Sequence, residues 1–155
     1  MTRQALAHAI YATAHLTGTF RLRSGATSSE YFDKYRFESE PRLLASIAEA
    51  IAETLPPGVD ALAVLELGGV PLAVQLSQVT GLPTLFVRKA AKTYGTCQLA
   101  EGGAVEGLRI LLVEDVVTSG GGGGEDTRIM DDGWYLCRYE VWYDAAGNVL
   151  SRQLI

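Results

Sequence analysis

Residues 109–124, RILLVEDVVTSGGGGG, constrain the fold more than any other stretch of the chain. An unbroken apolar run of strand length is expected where both faces of a strand are covered, as in a parallel sheet under helices. Two acids, Glu114 and Asp115, follow the run, then a Thr-Ser pair and five consecutive glycines. In an open α/β sheet, ligands bind beyond the carboxyl ends of the strands. Adjacent carboxylates at such an end accept hydrogen bonds from vicinal hydroxyls, as on a ribose. Thr118, Ser119, Gly120, Gly121 and Gly122 then suit a phosphate, because glycines let backbone N–H groups converge and Thr and Ser add hydroxyl donors. The competing reading is an acidic strand end that leads into a flexible linker.

The remaining pattern agrees with an α/β sheet. Residues 3–15 carry Leu6, Ile10 and Ala14 at helical spacing. Pro41 opens a second helix whose stripe is Leu43, Leu44, Ile47, Ala48, Ile51 and Leu55, and Pro56-Pro57-Gly58 closes it. ALAVLEL (61–67) and LPTLFVRK (82–89) read as strands, separated by a helix from Pro71 to Gly81. The stretch 90–107 reads as a mobile loop or a small hairpin. From 134 onward the chain alternates with period two around a turn at 144–148, which predicts a β-hairpin. The fold class is therefore α/β, with a central, mainly parallel sheet flanked by helices and a C-terminal β-hairpin. The expected division is a domain over 1–121, a Gly-rich connection over 122–133 and the hairpin over 134–155, packed on or extending the same domain.

Composition narrows the function classes. A net charge of −5 over 155 residues argues against a nucleic-acid or anionic-membrane surface. No apolar run approaches the roughly 18 residues of a spanning helix, and the N-terminus lacks a signal-peptide core. Cys97 and Cys137 form no metal-binding or CxxC pattern and read as free thiols. A cytoplasmic protein is expected. His8 and His15 are expected on the first helix, in packing or surface roles.

Three further stretches carry chemistry. LELGGVP (65–71) is a second strand end with two glycines before a helix; it suits an anion, or is simply a tight strand–helix turn. VRKAAKTYGT (87–96) places Arg88, Lys89 and Lys92 at the start of a loop, where cations can stabilise charge on a leaving group or merely form a solvated run. RLRSGATSSEYFDKYRF (21–37) interleaves Arg21, Arg23, Lys34 and Arg36 with hydroxyls, and Tyr31 and Phe32 offer faces for a flat base or belong to the core.

Together and in this order, these stretches resemble orotate phosphoribosyltransferases of the type I phosphoribosyltransferase family, over residues 14–121. LLVEDVVTSGG is similar to that family's motif for phosphoribosyl diphosphate (PRPP), ELGGVPLA to its diphosphate loop, and FVRKAAKTYGTCQLAEGG to its mobile catalytic loop. FRLRSGATSSEYFDKYRFES is similar to its orotate-holding segment. The resemblance implies transfer of the phosphoribosyl group of PRPP to orotate. It also implies Mg2+ carried mainly by PRPP, with no direct protein ligand, and a homodimer. It implies that Glu114 and Asp115 hold the ribose hydroxyls, that Thr118, Ser119, Gly120, Gly121 and Gly122 hold the 5′-phosphate, and that Arg23, Arg88, Lys89 and Lys92 meet PRPP. Lys89, Lys92 and Asp115 would be the catalytic residues. Glu66, Leu67, Gly68 and Gly69 would form the diphosphate loop, and Tyr31, Phe32 and Thr118 would adjoin the base. The chain departs from the well-studied pattern at Gly68, where a lysine is usual, at Tyr94, where a histidine is usual, and after Gly121. The second reading is a catalytically weak PRPP- or nucleotide-binding scaffold, an engineered or divergent chain that associates through its hairpin.

Overall fold

The computed structural model describes residues 1–22, 25–88, 90, 93–97, 99–104 and 106–115, together with the backbone of 138–143 and 149–154. Helix α1 (Arg3–Ala14) starts at Thr2, whose hydroxyl accepts the Ala5 amide at 3.2 Å. That hydrogen bond satisfies one of the amides a helix start leaves open. The chain then turns into β1 (His15–Arg21), which pairs antiparallel with β2 (Thr27–Phe32) as a separate two-stranded sheet. His15 is therefore not on the first helix. It opens β1, stacks on Tyr11 at 4.4 Å and lies 3.7 Å from Glu30.

A five-residue helix that the sequence pattern did not predict, α2 (Lys34–Glu38), follows; Asp33 caps it by accepting the Tyr35 amide at 3.2 Å. Then come α3 (Pro41–Ala52), β3 (Ala61–Leu65), α4 (Val70–Thr80) and β4 (Thr84–Val87). Gly81, in the left-handed region at φ 74°, ends α4. The stretch expected as a loop or small hairpin contains β5 (Ala100–Glu101), antiparallel to β4, and β6 (Arg109–Val113) follows. The described C-terminal strands are β7 (Arg138–Tyr143) and β8 (Val149–Leu154).

The six-stranded sheet has the order β5-β4-β3-β6-β7-β8. At its centre β3 pairs parallel with both β4 and β6, and the antiparallel strands lie outside these three. Strand alternation sorts the core into two clusters. Leu62 and Val64 of β3 and Leu111 and Val113 of β6 face one way, onto Leu43, Leu44, Ile47 and Ile51 of α3 and Leu72, Ala73 and Leu76 of α4. Ala61, Ala63, Ile110 and Leu112 face the other way with Leu85. The whole stripe predicted for α3 is buried from Leu43 to Ile51, and Leu55 packs against it half-buried. This packing fixes β3, β4 and β6 side by side, so their carboxyl ends open at one edge of the sheet.

Candidate functional site

Three sequence-predicted pieces meet at that edge. Glu114 and Asp115 leave the end of β6, and the turn Glu66–Gly69 leaves the end of β3. Arg88 leaves the end of β4, with its Nη1 3.8 Å from the Glu66 carboxylate. The Glu66–Leu67 peptide is cis. A side chain at Gly69 would have its Cβ 3.0 Å from Val64 Cγ2 and 3.2 Å from the Val113 carbonyl oxygen, so glycine lets this turn lie against β3 and β6 without displacing them. Gly69 also stands as the N-cap of α4 with no side-chain capping bond, leaving the amide end of that helix without a side-chain acceptor among the described residues.

Behind the turn lies an ion pair that sequence reasoning did not foresee. Lys34 Nζ, from the start of α2, donates to the Asp115 carboxylate. The Asp115 side chain is only 4% exposed, whereas that of Lys34 is 21% exposed, so the lysine covers the acid. Glu38, one helical turn after Lys34, is buried, and among the described residues neither of its carboxylate oxygens meets a hydrogen-bond donor. Burial, then the charge of Asp115, pushes the Glu38 carboxyl up to about 7. The same two causes push half-buried Glu114 up to about 7. Burial alone lowers the Lys34 pKa, but the hydrogen bond and charge of Asp115 outweigh it and hold the ammonium above its ordinary value. Among the described residues, the carboxyls of Glu38, Glu114 and Asp115 thus share the field of the Lys34 ammonium. Lys34 and Glu38, spaced i, i+4 behind a capping Asp33, were the legible signal for it.

A pH dependence follows from Glu38. Its folded pKa, about 7, lies above its ordinary 4.5. Between these values the folded chain keeps a proton that the unfolded chain has lost, so stability falls as pH rises through this window. Glu38→Gln is expected to raise stability by about 1–2 kcal/mol at pH 8 and to change little at pH 4. Urea unfolding at the two pH values checks this.

Other predicted residues are placed differently. Tyr31 is exposed and stacks on Phe20 at 5.4 Å. Phe32, next along the strand, points the opposite way and packs half-buried on the core beside Phe37, at 6.1 Å. The two rings therefore do not form one face for a base. Arg23, Lys89, Lys92, Thr118, Ser119, Gly120, Gly121 and Gly122 lie outside the described residues, as do the connection 122–133 and the side chains of the hairpin.

Comparison with known proteins decides the family. The orotate phosphoribosyltransferase of Nocardioides sp. (strain ATCC BAA-499 / JS614) is 54% identical over 125 residues, which is 81% of this chain and 70% of that protein. The chain belongs to the orotate phosphoribosyltransferase family. A second orotate phosphoribosyltransferase, from Methanocella arvoryzae, is 46% identical over 102 residues, covering 66% of this chain and 58% of that protein. The chain thus spans between about three-fifths and seven-tenths of the length of these relatives. The solved orotate phosphoribosyltransferase of Mycobacterium tuberculosis H37Rv superposes with TM-scores of 0.65 in its inorganic phosphate complex and 0.60 in its PRPP complex. The identities are 30% and 28%, and each alignment covers 76% of this chain and 67% of that one. No protein-family model matches the chain. The family assignment agrees with the parallel β4-β3-β6 centre of the sheet.

Proposed function

We propose that this chain transfers the 5-phosphoribosyl group of PRPP to orotate, giving orotidine 5′-monophosphate and diphosphate in pyrimidine biosynthesis. The observation that carries this is the Glu114-Asp115 pair at the end of β6, beside the Gly68–Gly69 turn, in a chain of this family. A base nitrogen attacks the anomeric carbon as the bond to diphosphate breaks, and positive charge develops on the ribose. The protein's task is to orient the sugar and to offset the charge of the leaving group. Glu114, half-exposed at the strand end, accepts from a ribose hydroxyl. The open amide end of α4 and the Gly68–Gly69 turn face the diphosphate, with Arg88 beside them. Thr118 to Gly122 hold the 5′-phosphate, and Arg23, Lys89 and Lys92 add cations around PRPP. Tyr31 is the exposed ring available to the base.

Mg2+ belongs to the same proposal and enters on PRPP, where it neutralises part of the diphosphate charge. At the strand end, Lys34 pairs with Asp115. A cytoplasmic homodimer, no nucleic-acid or membrane partner, and the division at 121 and 133 complete the reading. Among the described residues no helix is long and apolar enough to cross a membrane. The scaffold alternative is not favoured at 54% identity to a named orotate phosphoribosyltransferase. The test is loss of orotate absorbance on mixing the chain with Mg2+, PRPP and orotate. Turnover that needs all three supports the proposal; no turnover by a folded chain that binds PRPP contradicts it.

A further inference from the structure

Gly68 has an unusual neighbour. A Cβ built there falls on the Lys34 ammonium, and lies 2.9 Å and 3.1 Å from the two Asp115 oxygens. The space that a side chain at 68 would fill is thus taken by a cation from α2, a different segment of the chain. We propose that Lys34 and Gly68 form one device: Lys34 is the cation of the β3–α4 turn, fixing Asp115 and offering its remaining N–H donors to the diphosphate of PRPP.

Three observations support it. An ammonium has three donors, and Asp115 takes one. The Lys34 side chain keeps 21% of its surface open while Asp115 beneath it keeps 4%, so an arriving anion meets the lysine first. Third, Glu114 stands at the strand end over the buried carboxyls of Glu38 and Asp115, and a polyanion that approaches this acidic ground is repelled unless a cation lies within it. Arg88, also at this edge, already faces the Glu66 carboxylate. The inference rests on the proposed PRPP chemistry and adds a residue to it.

The test is a double-mutant cycle on the full chain, read by calorimetric titration with PRPP and Mg2+. Lys34→Ala removes the ammonium. Gly68→Ala places a methyl group where the ammonium sits and pushes it off Asp115. Each single change is expected to weaken PRPP binding about tenfold or more, and the double variant to bind about as the Lys34→Ala single does, because both changes break one contact. In turnover the loss is expected in the KM for PRPP, with the KM for orotate within about twofold of the parent, since the lost donors face the diphosphate. Lys34→Met keeps the packed stem without the charge and replaces Lys34→Ala if that variant does not fold. Wild-type affinity in the Lys34 variants, or single effects that multiply in the double variant, overturns the inference. A wild-type chain that turns over orotate beside such variants leaves the proposed function standing. A folded wild-type chain that does not bind PRPP overturns both.

Discussion

Asp115→Ala is expected to lower unfolding stability by about 3 kcal/mol, near the lower end for breaking one side of a buried ion pair. The reason is geometric. Asp115 is the direct hydrogen-bond partner of Lys34, whose side chain is partly buried, so removing the acid leaves a charge that water reaches only in part. The cost stays below the top of that range because Glu38 and Glu114 relax. The charge of Asp115 helps hold both carboxyls up at about 7, and its removal lets them ionise beside Lys34. Two measurements check this: urea unfolding for the loss, and a carboxyl titration followed by NMR, in which the Glu38 pKa falls in the variant. An unchanged Glu38 titration would contradict the account of the site's charge. The same variant is expected to bind PRPP about tenfold more weakly or worse, since a charged hydrogen-bond partner contributes about 1.5–3 kcal/mol.

Leu111→Ala is expected to cost about 3 kcal/mol or more, within the range for emptying a fully packed leucine position. Leu111 has no exposed surface, sits mid-strand in β6 and faces the larger core cluster with Leu62 and Leu72. Rigid neighbours on β3 and α4 limit collapse into the cavity. Because β6 carries Glu114 and Asp115, the loss should also loosen the strand end. Thermal unfolding measures the first effect. A fall in PRPP affinity at a temperature where the variant remains folded measures the second.

What the sequence showed and what it hid divide by distance along the chain. The apolar run before Glu114, the stripe of α3 and the Gly-Gly turn before α4 are local patterns. Each states its own period or its own turn, so the strand ends that carry the acids and glycines were readable. The Lys34–Asp115 pair joins positions 81 residues apart, and no local period records it. Gly68 read as a mere departure from a lysine-bearing pattern, whereas in the fold an ammonium stands at that place, supplied by Lys34. The short helix α2 was missed because five residues are too few to show a stripe; its capping Asp33 was the available sign. Phe32 looked like half of a base platform because it follows Tyr31, yet neighbours on a strand point to opposite faces. The core took one ring and solvent the other.

The most direct measurement is calorimetric titration of PRPP with Mg2+ into the wild-type chain and into Glu114→Gln/Asp115→Asn, whose side chains keep their shape but lose their charge. Binding in the micromolar range is expected for wild type, with a loss of more than about tenfold in the double variant, because Asp115 loses the charge that fixes Lys34 and Glu114 loses what charge it carries with its carboxyl at about 7. Equal affinity in the two proteins, or no binding by the folded wild type, would contradict the claim that the end of β6 is a PRPP site.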